Sequence, residues 1–223
     1  MRTSTAILSL LVSVVAGSPI ESRQFGFPST GRVGTTENEF TQGGCRDIIF
    51  FFARGSTEVG NMGSTVGPPT GQGLKDAFGA ASVAVEGTDY PAGLGTNALP
   101  GGADPVGIRD MRDGINAAAT QCPNSIIAVG GYSQGAAVVH RAVENLSASV
   151  KDKIAAAITY GDTQNLQDRG QIPNFPPEKT LVICNTGDAV CRGTLTILAP
   201  HLDYVRRVPE AVQFLTTRIR AAQ

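Results

Sequence analysis

The sequence Gly-Tyr-Ser-Gln-Gly at residues 131–135 has the spacing of a nucleophile elbow, the sharp turn that presents a reactive serine between a strand and a helix. An apolar run at residues 126–129 precedes the motif and predicts a buried strand. Apolar side chains then recur at helical spacing, which predicts a helix over residues 133–147. A turn this tight leaves no space for a Cβ atom beside the serine, so the two glycines suit it. The pattern predicts that Ser133 is a nucleophile.

A serine needs a base to become nucleophilic, normally a histidine that a carboxylate orients. The chain has only two histidines, His140 and His201. His140 is placed about 10 Å along the same predicted helix as Ser133, at ~1.5 Å per residue. This distance exceeds hydrogen-bond reach, so we interpret His140 as an ordinary helix-face residue. His201 lies in a loop before the last predicted helix and is the remaining candidate for the base.

The acid is expected between the serine and the histidine, because enzymes with this elbow and this fold carry the three residues in the order serine, acid, histidine. The aspartates in that interval are Asp152, Asp162, Asp168 and Asp188. Asp162 and Asp188 each follow a predicted strand. We favour Asp188 because it lies nearer to His201, on the next strand outward, and between two cysteines. An aspartate that only forms a turn would suit the same Thr-Gly-Asp sequence.

An oxyanion hole requires at least two hydrogen-bond donors. One is expected to be the backbone N–H of Gln134, the residue after the serine. The second is expected from Ser56, in the Gly-Ser-Thr sequence that follows the first predicted strand. The alternative for Ser56 is that it only caps a turn.

The elements that must position these residues alternate between strand and helix, which predicts an α/β fold with parallel strands. Five apolar runs predict buried strands at residues 47–53, 82–86, 125–129, 154–160 and 180–184. Helices are predicted over residues 70–80, after Asp104-Pro105, over 133–147 and over 209–220. Residues 161–179 are polar and proline-rich, and we expect them to run over the surface. In such sheets a site forms at the carboxyl ends of the strands, where Ser56, Ser133 and Asp188 all lie.

Length and composition indicate one domain and no nucleic-acid partner, because the 223 residues carry a net charge of −1. Residues 1–17 have the basic start, apolar stretch and small residues of a secretory signal peptide. Residues 18–44 are rich in Gly, Ser, Thr and Pro without a period, which predicts an unstructured leader with a possible second processing point at Arg23. The single domain is then expected to span residues 45–223. No other stretch is long and apolar enough to insert stably in a membrane, and we expect a soluble monomer.

Four cysteines in a secreted chain predict two disulfides, for which three pairings are possible. Cys45 and Cys122 each precede a predicted strand and meet if those strands are parallel neighbours. Cys184 and Cys191 are close in sequence and close a small loop. We favour these two pairs. The spacing fits neither a zinc site nor a redox pair, and with no metal or phosphate motif elsewhere we expect no cofactor.

Five stretches together resemble the fungal cutinases. They are Cys45 through Glu58, residues 97–100 (Asn-Ala-Leu-Pro), the elbow at 131–135, Cys184 through Cys191, and residues 200–202 (Pro-His-Leu). The resemblance covers Cys45 to the C-terminus in matching order. It implies a three-layer α/β/α sandwich with a mainly parallel five-stranded sheet and no large lid, and a secreted serine esterase that hydrolyses cutin, the plant cuticle polyester of hydroxy fatty acids.

Carried over to this sequence, the resemblance implies a catalytic triad, an oxyanion hole and a supporting residue. The triad is Ser133, Asp188 and His201. Ser56 and Gln134 are the oxyanion donors, and Asn97 orients the Ser56 hydroxyl. The resemblance also implies the disulfide pairs already favoured.

Apolar residues near the predicted site indicate a preference for an acyl chain or a waxy surface. They are Leu94, Leu195, Ile197, Leu198 and Leu202. Some of them would pack inward if the rim had no role.

Two alternatives remain: an acetylxylan or short-chain esterase, and a non-catalytic surface-binding protein on the same fold. Residues 145–147 (Asn-Leu-Ser) form an N-glycosylation sequon near a helix end.

Overall fold

A single five-stranded sheet lies at the centre of the computed structural model, which describes Met1 and residues 31–223. The strands are β1 (Ile48–Ala53), β2 (Val83–Gly87), β3 (Ile126–Tyr132), β4 (Ile154–Tyr160) and β5 (Thr180–Ile183). Their order across the sheet is β2-β1-β3-β4-β5, and each neighbouring pair is parallel. The predicted α/β class and strand set are confirmed. The third strand runs three residues beyond its predicted end and reaches the elbow itself.

Helices cover both faces of the sheet, as expected for a parallel sheet. They are α1 (Glu39–Gly43), α2 (Gly67–Phe78), α3 (Pro105–Gln121), α4 (Gln134–Glu144), α5 (Ala148–Lys153) and α6 (Val208–Ala222). Side chains of α2 and α6 pack in one core, and side chains of α3 and α4 pack in the other. The fold is therefore the predicted three-layer sandwich.

Strand β1 shows why the sheet requires continuous apolar runs. All six of its residues are buried. Because side chains alternate along a strand, Phe50 and Phe52 enter the core under α2 and α6. Phe51 and Ala53 enter the opposite core, under α3 and α4. A strand covered on both faces leaves no solvent-facing position for a polar residue.

The helix that follows the elbow ends earlier than predicted. It stops at Glu144, and a separate helix, α5, begins after Ser147. Ser147 is the N-cap of α5, and its Oγ accepts a hydrogen bond from the backbone N–H of Val150. Leu146 continues the apolar spacing beyond Glu144, which explains why the pattern extended the predicted helix to residue 147.

The prediction of an unstructured leader is wrong for the part that the structure describes, residues 31–44. Helix α1 lies there, and its Phe40 is buried with its ring 5.9 Å from that of Phe51, edge to face. The Glu39 carboxylate lies 2.6 Å from the buried Lys75 ammonium. Short segments of this kind are ordered by docking on the domain, so they carry no periodic signal of their own. The predicted signal peptide and Arg23 lie outside the described residues.

The same segment also contacts the chain after β1. The Thr35 carbonyl accepts hydrogen bonds from the backbone N–H groups of Asn61 and Met62, each at 3.0 Å. The Asn61 amide in turn exchanges hydrogen bonds with the backbone of Glu37, at 2.9 and 3.1 Å. The N-terminal segment therefore supports the loop between β1 and α2, which carries Ser56.

Both predicted disulfides are present, Cys45–Cys122 and Cys184–Cys191. The first pair meets because β1 and β3 are parallel neighbours, and each of its cysteines lies just before one of those strands. The second pair closes a loop after β5. No helix within the described part of the chain is long and apolar enough to cross a membrane.

The connection after β4 departs from its prediction as a surface segment. Its first residues, 161–164, are buried, and so are Ile172 and Phe175 further along. Buried polar groups must find hydrogen-bond partners, and Asp162, Thr163 and Gln164 all do.

Candidate active site

The elbow at residues 131–135 has the strained geometry that its sequence predicts. Ser133 lies at φ +55° and ψ −118°, between the end of β3 and the start of α4. A Cβ atom on Gly131 would lie 2.2 Å from the Gly135 carbonyl oxygen, and one on Gly135 would lie 2.0 Å from the Ala53 carbonyl oxygen. Any other residue at these two positions would collide with backbone. The glycines allow the turn that raises Ser133 above the sheet.

Ser133, His201 and Asp188 form a continuous hydrogen-bonded chain. The Ser133 Oγ lies 3.0 Å from Nε2 of His201, and Nδ1 of His201 lies 2.9 Å from Oδ2 of Asp188. Asp188 and His201 are buried, and Ser133 is only 8% exposed. An imidazole held in this way by an acid can accept the serine proton.

Two further groups hold the Asp188 carboxylate. The Tyr204 hydroxyl donates to Oδ2 at 2.6 Å, and the backbone N–H of Val190 donates to Oδ1 at 2.9 Å. Burial, the larger cause, and the hydrogen bond to Asp188, the smaller one, raise the pKa of the Tyr204 phenol. The phenol therefore keeps its proton and stays a hydrogen-bond donor. The carboxylate is fixed with one oxygen directed at His201.

The loop that carries His201 is tied to the loop that carries Asp188. The Asn185 side-chain amide donates to the carbonyls of Pro200 and Asp203, both at 2.9 Å, on either side of His201. Tyr132 stacks its ring 5.4 Å from the imidazole, and its hydroxyl donates to the His201 carbonyl at 2.8 Å. His201 is thus held by two strand ends as well as by its own turn.

Ser56 lies beside the serine with a hydroxyl that accepts two hydrogen bonds. The Asn97 amide donates to its Oγ at 2.9 Å, and the Gln134 side-chain amide donates at 3.1 Å. With both lone pairs engaged, the Ser56 O–H is left to donate elsewhere, and Ser56 lines the cavity above Ser133. The backbone N–H of Gln134 begins α4 and has no acceptor within the helix. Two donors therefore adjoin Ser133.

The cavity at this edge has a volume of about 360 Å³, and both Ser133 and His201 line it. Four of the five predicted rim residues line it as well: Leu94, Leu195, Ile197 and Leu202. Leu198 lies outside this lining. All five are between 44% and 66% exposed, so the alternative that they pack inward is wrong.

The rejected candidates for base and acid pair with each other instead. His140 is fully buried, not a surface helix-face residue, and it contacts the carboxylates of Asp162 and Asp168. Sequence reasoning missed the roles of Tyr132, Asn185 and Tyr204. Their one signal is position, because each lies within three residues of Ser133, Asp188 or His201.

In a comparison with known protein families, residues 44–219 match the model of the family named Cutinase. The chain belongs to the cutinase family. A cutinase of Pyricularia oryzae is 50% identical over 219 residues, covering 98% of both chains. Cutinase 2 of Fusarium vanettenii is 44% identical over 232 residues, covering 98% of this cutinase and 97% of its relative.

Solved structures agree with this assignment. A Trichoderma reesei cutinase in complex with a phosphonate inhibitor is 36% identical, with a TM-score of 0.74 over 84% of this chain and 81% of that chain. An acetyl xylan esterase is 23% identical, with a TM-score of 0.63 over 78% of this chain and 99% of that chain. The second likeness shows only that the two proteins share a fold.

Proposed function

We propose that this cutinase is a secreted serine esterase that hydrolyses the ester bonds of cutin through an acyl-enzyme. The observation that carries the proposal is the Ser133–His201–Asp188 hydrogen-bonded chain, which opens into a cavity with an apolar rim. Ser133 is the nucleophile, His201 the base and Asp188 the acid. Ser56 and Gln134 are the oxyanion donors, and Asn97 is a positioning residue.

Acylation begins when Nε2 of His201 accepts the Ser133 proton, 3.0 Å away, as Oγ attacks the ester carbonyl carbon. The carbonyl π pair moves to oxygen, and the resulting oxyanion accepts hydrogen bonds from the Ser56 hydroxyl and the Gln134 backbone N–H. When the carbonyl re-forms, the C–O bond to the alcohol breaks. The alcohol leaves with the proton that His201 held.

Deacylation repeats the same steps with water. His201 takes a proton from a water molecule, whose oxygen attacks the acyl carbon. The second oxyanion collapses, the bond to Ser133 Oγ breaks, and His201 returns the proton to the serine. The products are a carboxylic acid and the free enzyme.

Asp188 remains ionised throughout and orients the imidazole by accepting the Nδ1–H. Its location supports this role, since it is held by Tyr204 and Val190 on the rigid disulfide loop. It stabilises the imidazolium that forms twice in each cycle.

Long aliphatic acyl chains are the substrates that the rim suits best. Exposed Leu94, Leu195, Ile197 and Leu202 surround the cavity, and apolar side chains of this kind favour a waxy polymer surface over a hydrated polysaccharide. The alternative of an acetylxylan esterase rests on a shared fold alone. A secreted location fits such a substrate, and the enzyme works without a cofactor.

The Ser133→Ala variant tests the reaction, because it removes the nucleophile and little volume. We expect turnover of a soluble butyrate ester to fall to background while the melting temperature stays close to that of the wild type. Full activity in this variant would contradict the mechanism.

Product analysis after incubation with isolated plant cuticle tests the substrate. We expect hydroxy fatty acids from the wild type and none from Ser133→Ala. Release of acetate from acetylated xylan, without products from cuticle, would favour the acetylxylan alternative.

A further inference from the structure

The side chain of His140 is completely buried. It lies on α4, the helix that Ser133 precedes, and the proposed reaction does not use it. Its Nε2 lies 2.8 Å from Oδ2 of Asp162, and its Nδ1 lies 2.7 Å from Oδ2 of Asp168. A buried imidazole between two carboxylates is an unusual arrangement, because a neutral imidazole has one donor and one acceptor nitrogen.

Both carboxylates behave as acceptors. Asp162 accepts from the Thr159 hydroxyl and from the Gln164 backbone N–H, each at 2.7 Å. Asp168 forms an ion pair with Arg141, which also pairs with Glu144. Since neither carboxylate offers a proton, both nitrogens of His140 must donate, and the ring is an imidazolium.

The titration of the cluster agrees with its geometry. Burial alone would lower the pKa of His140, but Asp162 and Asp168 outweigh it and raise the pKa to about 9. Burial likewise opposes ionisation of Asp162, but His140 and the hydrogen bonds to Asp162 hold the pKa of its carboxyl below the ordinary value. The charged groups that face His140 are these two aspartates, with Arg141 and Glu144 beyond Asp168.

His140 pins both ends of residues 161–168, which we call the strap. The strap contacts all three loops of the triad. Gly161 lies against the His201 ring, since a Cβ atom there would be 2.8 Å from the imidazole Cε1. The Thr163 hydroxyl donates to the Ser133 carbonyl at 3.4 Å, and the Asn165 amide donates to the Cys191 carbonyl at 2.9 Å, in the Asp188 loop.

We propose that His140 is a positioning residue whose imidazolium, clamped between Asp162 and Asp168, holds the strap against the serine, histidine and acid loops. When the His140 ring loses a proton, one of its nitrogens presents a lone pair to a carboxylate. The contact between His140 and that aspartate becomes repulsive, and the strap loosens. Small displacements of reacting groups reduce turnover strongly. The proposal rests on the serine-esterase reaction proposed above and adds a second histidine that controls its alkaline limit.

The pH dependence of kcat on a soluble butyrate ester tests the proposal. For the wild type we expect a reversible fall in kcat, centred near pH 9, with the near-UV circular dichroism unchanged. Asp168→Asn keeps the shape of the side chain but removes one charge, so it lowers the pKa of His140. We expect it to shift the midpoint downward by about one pH unit. Arg112→Gln, which removes a charge from a surface ion pair, is the matched control and leaves the midpoint unchanged.

Nuclear magnetic resonance of ¹⁵N-labelled histidine provides a second measurement on the wild-type chain. With two histidines in the sequence, the His201→Gln variant identifies the His140 signals without ambiguity. We expect both His140 nitrogens to be protonated at pH 7.5 and to titrate with the same midpoint as kcat.

The outcomes separate the two proposals. A neutral His140 at pH 7.5, or a kcat midpoint that does not follow the His140 titration in the wild type and in Asp168→Asn, overturns the clamp. If Asp168→Asn does not fold, the two wild-type midpoints alone decide. The esterase proposal is tested separately by Ser133→Ala, and the state of the His140 nitrogens does not depend on that result.

Discussion

Tyr204 Oη and His201 Nδ1 meet at the same atom, Oδ2 of Asp188, at 2.6 and 2.9 Å. The aromatic ring of Tyr204 also lies edge to face against the His201 ring, 6.1 Å between centroids. One side chain thus touches both the proposed acid and the proposed base, and it follows His201 by a single turn.

Tyr204→Phe should lower kcat by about tenfold, because the Asp188 carboxylate loses a charge-assisted hydrogen bond worth roughly 1.5–3 kcal/mol. KM should change little, since Tyr204 is buried and lies outside the cavity lining. Steady-state kinetics on a soluble ester gives both constants. Tyr160→Phe is the matched control: its buried hydroxyl meets Thr70 Oγ1 at 2.9 Å, so it should cost stability but not kcat. Equal kcat losses in the two variants would indicate a purely structural role for Tyr204.

Ser56→Ala should reduce kcat by about 10²–10³-fold with little change in KM, because it removes a proposed oxyanion donor. Asn97→Ala should reduce kcat less, since the Gln134 amide still contacts the Ser56 hydroxyl at 3.1 Å. Thr96→Ala is the control within the same turn. Its hydroxyl donates to the Gly93 carbonyl and not to Ser56. Wild-type kcat in the Ser56→Ala variant would show that Ser56 is not an oxyanion donor.

The chemistry of the site was predictable from sequence where local constraints are strong. Glycine is required at 131 and 135 because a Cβ atom there would lie 2.2 and 2.0 Å from backbone carbonyl oxygens, so the motif leaves a clear pattern. The strands were predictable for a similar reason, since a sheet covered on both faces demands apolar runs such as β1. In both cases the requirement falls on residues that are consecutive or nearly consecutive in the sequence, so it leaves a recognisable pattern.

Contacts between distant segments left no such pattern. Thr35 contacts Asn61, and His140 contacts Asp162, but in each pair the two residues are far apart in the sequence. The sequence interpretation weighed His140 and Asp162 separately as triad candidates and had no means of pairing them. The N-terminal segment was missed because it is ordered by docking on β2 and not by a period of its own.

Glu39→Gln should lower the free energy of unfolding by about 3–5 kcal/mol, because it leaves the buried Lys75 ammonium without its carboxylate. Denaturant unfolding measures the change. Glu210→Gln, which removes an exposed ion pair with Arg207, should cost less than about 1 kcal/mol.

We further expect N-terminal sequencing of the secreted chain to start before the buried Val33. A stable, active chain that starts at Cys45 would show that the N-terminal segment is dispensable.

Stability should fall as pH rises from about 6.5 to about 9, through the range in which His140 loses its proton. The pKa of His140 is raised from 6.5 to about 9 in the folded chain, so its contribution is complete below pH 6.5 and is lost above pH 9. The contribution is on the order of 3 kcal/mol. Denaturant unfolding at pH 6 and pH 9.5 should show this loss in the wild type and a smaller one in His140→Gln. Equal losses in the two proteins would assign the alkaline instability to other groups.

Asn145 should carry an N-linked glycan in the secreted chain, because the side chain is exposed and belongs to an Asn-Leu-Ser sequon. It follows the last residue of α4, while Ser133 precedes the first, so helix geometry separates them by about 18 Å at ~1.5 Å per residue. A glycan there is attached at the opposite end of α4 from Ser133, and Asn145 is not among the residues that line the cavity. Mass spectrometry before and after endoglycosidase treatment should show a mass shift in the wild type and in the control Asn116→Gln, and none in Asn145→Gln. Because the glycan lies at the far end of the helix, kcat for Asn145→Gln should stay within about twofold of wild type. A larger loss of kcat would contradict the placement of Asn145 far from the reacting groups.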